Sequence, residues 1–463
     1  MPKQKSKSNE SPSYQLLRSI TENSSSTVHF VGIGGVSMYS LAGLALLGGA
    51  RITGSDKEDS ERTRSLRLLG AMVTVGHNAE NVRGADLVIY SHAISPDNPE
   101  LTEATRLGIP TASRAEYMGA MMLGYQNRIG VSGSHGKSST VAMLDAIFEY
   151  AKSTPTTLSG ADLPIGEPIR VGGRSLLVYE ACEYKDSFLR FSPTISVGLN
   201  LELDHTDYFN GLEGIKASFA KALGRATRFA LISGDDENLR QIADDISTEV
   251  ITFGGGEDNI YRYSITSFKE MGFTFSISKR GVKLGDFEIN IPGAFNVHNA
   301  TAAIAVALEY GIDVKTIAEA ISLYRGISRR LEYIGQRYGR PVYYDYAHHP
   351  TEIKASIDAL KLLTHRPLTV VFKPHTFSRT QSLWDELCGS LSAADYLLLT
   401  DIYPAREEAI EGISSERLAQ AIGHSSKYCP DDEVIKQIDL YTQGAIVLMG
   451  AGDLEEIKRN ILK

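Results

Sequence analysis

At 463 residues the chain is too long for one compact unit and should form about three domains of ordinary size. A formal net charge of −9 excludes nucleic-acid capture by bulk electrostatics. With 42% hydrophobic and 22% charged residues and no apolar run of spanning length, a helical membrane protein is excluded as well. The three cysteines, Cys182, Cys388 and Cys429, show neither metal-ligand spacing nor a disulfide framework, so a reducing, cytoplasmic setting is expected.

Residues 1–26 carry Lys3, Lys5 and Lys7, then Ser and Asn, without the apolar core of a secretory signal; they read as a mostly flexible tail. Strands are expected over 28–33, 51–53, 72–75 and 87–90, separated by helical or turn-rich stretches. This βαβ rhythm predicts a first α/β domain over 27–123. Its first strand runs into Gly32-Ile33-Gly34-Gly35-Val36-Ser37, where Ser37 replaces the third glycine of a dinucleotide fingerprint, and Asp56 lies where a ribose-binding carboxylate would. Three readings stay open: the pyrophosphate of a UDP-sugar, the NAD of a dehydrogenase, or close strand–helix packing alone.

A second domain over 124–327 opens on Gly133-Ser134-His135-Gly136-Lys137-Ser138-Ser139, between an apolar run and a helix expected over 138–150. Small residues let backbone N–H groups face phosphate oxygens, Lys137 can neutralise the β and γ charges, and the Ser138 hydroxyl can reach Mg²⁺. The full Walker spacing is not met, because Val131 stands where its first glycine belongs. Strands follow over 176–179, 194–199 and 229–233. Glu180 ends the first of these and should emerge beside the phosphate turn, where metal ligands sit. His205, in the segment from Asn200 through Asp204, can offer a neutral imidazole to a second cation or serve as a structural hydrogen-bonder. Glu183, Lys185 and Asp186 read as surface charges. Over 261–291 the pattern alternates, giving antiparallel strands, and a helix is expected over 299–310, with Asn296 and Asn299 capping it or meeting a purine edge.

The last domain, 328–463, repeats the α/β rhythm, with strands over 342–345, 368–372, 396–399 and 445–449 and helices over 351–363 and 416–422. Arg329-Arg330 marks its entry. Asp345-Tyr346-Ala347-His348-His349-Pro350 ends one strand and Lys373-Pro374-His375-Thr376-Phe377-Ser378-Arg379-Thr380 the next, so the two polar clusters are expected at adjacent strand ends.

Taken in order, the 32–35 turn, Ser91-His92-Ala93-Ile94-Ser95-Pro96, the 133–138 turn, Glu180 to Glu183, Asn200 with Asp204-His205, Asn296 with Asn299, Arg329-Arg330, 345–350 and 375–380 resemble the Mur ligase family from about residue 28 to the C-terminus. The resemblance implies an α/β fold of three domains. These are a Rossmann-like UDP-binding domain, a central P-loop ATPase domain with an added antiparallel β region, and a Rossmann-like C-terminal domain. It implies ATP-dependent ligation of L-alanine to UDP-N-acetylmuramate in peptidoglycan precursor synthesis, with ATP and Mg²⁺ and with no nucleic-acid or membrane partner, in a monomer or homodimer. Gly32, Gly34, Gly35, Asp56, Ser91 and His92 would hold the UDP-sugar; Gly133 to Ser139, Asn296, Asn299, Arg330 and Asp345 the ATP; Ser138, Glu180 and His205 the metal. Tyr346, His348 and Arg379 would form the alanine pocket, and Lys137, Glu180, His205, Arg330 and His348 would carry the chemistry. Where some members have a carbamylated lysine this chain has Phe219, with Lys216 and Lys221 off register. Phe295 and Thr376 also depart from the residues often found there. A recycling ligase that attaches a preformed tripeptide, and a non-catalytic nucleotide-sugar sensor, remain as rivals.

Overall fold

The first apolar run folds as β1 (Thr27–Val31), buried along its last four residues. Val28 and Phe30 enter one core cluster and Val31 another, as a strand covered on both faces requires. β2 (Arg51–Asp56), β3 (Met72–Val75), β4 (Leu87–Tyr90) and β5 (Thr111–Ser113) complete a parallel sheet of order β3-β2-β1-β4-β5. The order reverses between β1 and β4, where Val31 pairs with Tyr90. That reversal opens a crevice at the carboxyl ends of the strands, the usual place for a ligand.

A second parallel sheet follows, built from β6 (Asn127–Ser132), β7 (Thr156–Leu158), β8 (Ile169–Arg170), β9 (Leu176–Glu180), β10 (Ile195–Gly198), β11 (Phe229–Ser233) and β12 (Val250–Gly254). Its strands run β12-β11-β10-β6-β9-β7, with β8 antiparallel at the edge. β6 sits between β10 and β9, with Ser132 opposite Gly198 and Val131 opposite Glu180, so its turn also leaves a switch point.

This computed structural model describes residues 12–204, 208–269, 271–405, 407–423, 425–441 and 443–462. The chain forms two compact units, Met1–Tyr261 with Ala302–Ile312, and Arg262–Thr301 with Asp313–Lys463; both sheets above belong to the first. The second unit holds most of β13 (Tyr261–Lys269), then β14 (Gly272–Lys279) and β15 (Val282–Ile289), paired antiparallel with a bulge at Ile277/Ser278. It also holds β16 (Glu332–Arg337), β17 (Arg340–Asp345), β18 (Leu368–Phe372), β19 (Tyr396–Leu399), β20 (Ser426–Tyr428) and β21 (Ala445–Met449), ordered β16-β17-β21-β18-β19-β20. All but β16 run parallel to their neighbours.

Three expectations are corrected. The tail over 1–26 contains a helix, Pro12–Thr21, whose Leu17 is 5% exposed in the first core while Tyr14 donates to the Arg190 carbonyl at 3.1 Å. The helix expected from Asn299 begins at Phe295. The strands ending at Asp345 and Phe372 are not neighbours, because β21 runs between them and pairs with both.

A buried charge lies behind the first crevice. Glu100 is fully buried, and its carboxylate accepts from Ser55 Oγ at 2.7 Å and Asn81 Nδ2 at 2.6 Å, with His77 Nδ1 at 3.0 Å and His29 Nε2 at 3.7 Å. Burial disfavours the ionised form, but these donors outweigh it and hold Glu100 down to about 2. Ser55 connects this hub to the glycine turn, since its carbonyl accepts from Gly32 N (2.8 Å) and Ile33 N (2.9 Å).

Candidate active site

The first crevice is walled by the turn after β1. Gly32 takes φ +77°, a conformation that strains any L side chain, and a Cβ there would meet Ile94 at 3.2 Å. Gly34 N donates to Asp56 Oδ2 at 2.8 Å, so the carboxylate expected on a ribose also fixes the turn. Gly35 caps the helix Val36–Leu47 without a side-chain acceptor, which leaves that helix N-terminus to another anion. Ser91 and His92 follow β4 on the opposite wall, where Ser91 Oγ accepts from Ala93 N at 3.3 Å.

At the second switch point, Gly133 (φ +145°) and Gly136 (φ +83°) shape the turn into the helix Lys137–Tyr150. A Cβ on Gly133 would lie 3.0 Å from Leu199. The turn is tied to the segment after β10. His135 N donates to Asn200 Oδ1 at 2.8 Å, Asn200 Nδ2 returns to the His135 carbonyl at 3.1 Å, and Glu202 N donates to Ser134 Oγ at 2.9 Å. His135 Nε2 lies 3.2 Å from Glu202 Oε2. Ser138 and Ser139 are buried in the first turn of the helix.

Lys137 shows the largest departure from expectation. Its ammonium meets both carboxylate oxygens of Glu183 at 3.1 and 3.2 Å and the Ser134 carbonyl at 3.3 Å. Burial lowers the pKa of this lysine, but the facing Glu183, with Cys182 and Glu180 nearby, outweighs burial and raises it, which favours the charged form. Glu183 is therefore not a surface charge; its side chain is 2% exposed. Lys185 and Asp186 are half-buried rather than exposed. Glu180, at the end of β9, accepts from Gly160 N and from Ser159 Oγ at 3.2 Å. His205 lies outside the described residues. Phe219 is fully buried against Phe188, ring centroids 5.2 Å apart, and Lys216 is engaged by Glu213 and Gln241.

In the second unit, Asn296 and Asn299 sit inside the helix Phe295–Tyr310 rather than capping it. Asn296 Nδ2 donates back to the Pro292 carbonyl at 2.7 Å, and Asn299 Nδ2 reaches Asn296 Oδ1 at 3.5 Å. Tyr346 lies beneath two guanidinium groups, Arg329 at 4.6 Å and Arg330 at 5.2 Å from its ring centroid, while Arg330 pairs with Glu352 at 3.3 Å. His348 Nδ1 lies 3.0 Å from the Tyr346 carbonyl, and its ring stands 6.0 Å from that of His375. The 345–350 and 375–380 clusters thus meet despite the strand between them. Arg379 lies in the short helix Phe377–Ser382, capped by Thr376, whose φ of 63° and ψ of 148° strain a β-branched residue.

Asp345 is 3% exposed and accepts from Ser356 Oγ and, at 3.2 Å, from Ala347 N. Burial pushes it up to about 6, against the pull of Ser356 and Arg330. A raised acid stabilises the fold fully below its unfolded value and loses that contribution as pH rises through about 6. Urea unfolding between pH 4 and 8 should show about 3 kcal/mol of such loss, absent in Asp345→Asn. Equal pH slopes in the two proteins would refute this.

Sequence reasoning missed Glu183, Asn200 and Glu202 as supports of the phosphate turn. The signal for Glu183 was its place three residues after a strand-end carboxylate, on the loop that faces the turn.

Two glycine turns at two switch points, one followed by a charged lysine and flanked by a strand-end carboxylate, make an α/β scaffold equipped for phosphate-bearing ligands. Three family models match in order: the Mur ligase family catalytic domain over residues 27–126, the Mur ligase middle domain over 131–307, and the Mur ligase glutamate ligase domain over 329–452. The chain belongs to the Mur ligase family. It is 40% identical over 444 residues to a UDP-N-acetylmuramate–L-alanine ligase of Alkaliphilus metalliredigens, covering 94% of this chain and 96% of that one. It is 39% identical to the protein of that name from Caldicellulosiruptor bescii, covering 94% and 98%. Among solved structures it resembles the UDP-N-acetylmuramate-alanine ligase MurC of Thermotoga maritima, with a TM-score of 0.81 at 26% identity over 94% and 98% of the chains. A murein peptide ligase of Psychrobacter arcticus gives 0.72 at 25% identity over the same shares.

Proposed function

We propose that this chain is an ATP-dependent ligase that joins L-alanine to the carboxylate of UDP-N-acetylmuramate through an acyl phosphate, in the supply of peptidoglycan precursors. The observation that carries the reading is the phosphate turn with its charged Lys137 in the same unit as the first glycine crevice. Near-full-length relatives of that name support the choice of alanine. Among the described residues no helix is long and apolar enough to cross a membrane, in keeping with nucleotide-linked substrates met in the cytoplasm.

The chemistry asks for what these residues offer. A carboxylate is a poor acylating agent, so one of its oxygens attacks the γ-phosphorus of ATP and ADP leaves. The amine of alanine then attacks the acyl carbon, phosphate departs and the amine gives up a proton. Lys137 would neutralise the phosphoryl oxygens as charge develops there, and the backbone N–H groups of Gly136 to Ser138 would cradle them, those of Ser134 and His135 being held by Asn200. Ser138 and Glu180 present hard oxygen donors at the turn, a set that fits Mg²⁺, which when bound would offset the charge of the β- and γ-phosphates. Gly32 to Gly35 with Asp56, Ser91 and His92 would hold the UDP portion; Tyr346, His348 and Arg379 would receive alanine, Arg379 through bidentate capture of its carboxylate. Asn296, Asn299, Arg330 and Asp345 would serve ATP.

The test is phosphate release from ATP with UDP-N-acetylmuramate and Mg²⁺, comparing L-alanine with the tripeptide L-Ala-D-Glu-diamino acid. Alanine should drive release; release with the tripeptide alone would move the protein to peptide recycling, and none with either would leave a sensor. A narrower expectation concerns Glu180. At Gly160 a Cβ would stand 2.9 Å from Glu180 Oε2, so Gly160→Ala should displace the carboxylate and raise the Mg²⁺ concentration for half-maximal activity about tenfold. An unchanged Mg²⁺ titration would remove Glu180 from the metal site.

A further inference from the structure

The segment 180–190 starts on the sheet of the phosphate turn and ends against the helix Arg114–Met122 of the other sheet. Glu180 closes β9 and Glu183 holds Lys137. At the far end the Arg190 carbonyl lies so close to Gly119 that a Cβ there would stand 2.3 Å away. Between these anchors Lys185 (φ 51°, ψ 37°) and Asp186 (φ 55°, ψ 27°) are both left-handed, a strained pair of the kind that persists where it serves a site. Asp186 is fixed by the hydroxyls of Tyr208, at 2.7 Å, and Ser218. Lys185 has no acidic partner among the described residues; its ammonium lies 5.4 Å from the Tyr184 ring centroid.

The neighbouring charges are of one sign. Tyr90 pairs with Ser113, so His92 and Arg114 leave adjacent strand ends, and Arg114 also lacks an acidic partner among the described residues. Burial lowers the pKa of His92, and the charges of Lys185, Arg114 and Arg190 lower it further. Glu116 opposes them, but its carboxylate is occupied by the N–H and hydroxyl of Ser113 at 2.9 and 2.8 Å. On the other side, burial raises Cys182, and both Lys137 and Arg114 pull against that rise. Positive charge therefore runs from the phosphate turn through Arg114 to Lys185 beside the UDP crevice, without acidic partners for its last two members among the described residues.

We propose that Lys185 and Arg114 bind the lactyl carboxylate of the muramyl sugar and thereby select UDP-N-acetylmuramate over nucleotide sugars that lack it. The inference rests on the ligase reading above. In that reaction the carboxylate must reach the γ-phosphate at Lys137 while its sugar stays tethered to a diphosphate at Gly32–Gly35, which requires an anion held between the two turns. One guanidinium, of Arg114, and one ammonium, of Lys185, neither with an acidic partner among the described residues and one on each sheet's side of that gap, supply the charge-assisted hydrogen bonds and fix the attacking oxygen.

The experiment is equilibrium binding of UDP-N-acetylmuramate and of UDP-N-acetylglucosamine, which has the same diphosphate but no lactyl group, to the full chain and its variants. Lys185→Ala and Arg114→Ala should each weaken UDP-N-acetylmuramate about tenfold or more and leave UDP-N-acetylglucosamine within about twofold. Lys185→Arg should restore binding. Unchanged affinity for UDP-N-acetylmuramate, or equal loss for both ligands, would overturn the assignment. Lys185→Gln, which keeps the length of the side chain, serves if alanine lowers the melting temperature. A wild-type chain that binds neither nucleotide sugar would instead sink the ligase reading.

Discussion

Lys137→Met is expected to lower alanine-dependent phosphate release about a hundred- to a thousandfold, the usual cost of removing a preorganised charge that faces a developing anion. The same substitution should also destabilise the first unit. Glu183, with 2% of its side chain exposed, would lose the cation that its two oxygens grip, and a buried carboxylate left without its partner costs about 3–5 kcal/mol. The two effects can be separated. In Lys137→Met/Glu183→Gln the orphaned charge is gone, so most of the stability should return in urea unfolding while the activity does not. Recovery of activity in the double variant would mean that Lys137 only stabilises; single-variant activity within about tenfold of wild type would remove it from phosphoryl transfer.

The second large effect is expected at Glu100. Glu100→Ala should cost the first unit about 3–5 kcal/mol, since it strips a buried carboxylate from Ser55, Asn81, His77 and His29, which keep only the Gly76 carbonyl for Asn81 and the Ser55–His77 contact in its place. The pH dependence has a definite sign. Glu100 is held at about 2 against an ordinary 4.5, so its contribution is complete above about 4.5 and fades as pH falls toward 2. The stability gap between wild type and variant should close over that window; a constant gap down to acid pH would refute the assignment. Since Ser55 also carries the glycine turn on its carbonyl, Glu100→Ala should raise the KM for the nucleotide sugar more than that for ATP.

Why the parallel strands were legible and parts of the site were not is a matter of range. Expected strands over 87–90, 229–233, 368–372, 396–399 and 445–449 match the observed bounds, because a strand buried on both faces is written as a largely apolar run; the strand over 72–75 also matches, although it lies exposed at the edge of its sheet. The glycine turn into the helix Lys137–Tyr150 was equally readable, since its glycines and lysine lie within a few residues of one another. Glu183 was not, because its partner is 46 positions away and a charge run gives no sign of which member turns inward. The order of β21 between β17 and β18 escaped for the same reason: pairing is set by topology rather than by chain order. The start of the helix at Phe295 was obscured by the asparagines, whose side chains turn back toward Pro292 and each other.

The helix Pro12–Thr21 carries no motif, yet it bears on how much of the chain a functional fragment needs. A fragment cut at residue 27, where the family match begins, would keep every turn, lysine and carboxylate discussed above. It would also uncover the place that Leu17 fills in the first core and release the Arg190 carbonyl from Tyr14. That carbonyl anchors one end of the strained segment bearing Lys185, so trimming a stretch without chemistry of its own would slacken the segment proposed to hold the sugar while leaving the Gly133–Ser138 turn intact.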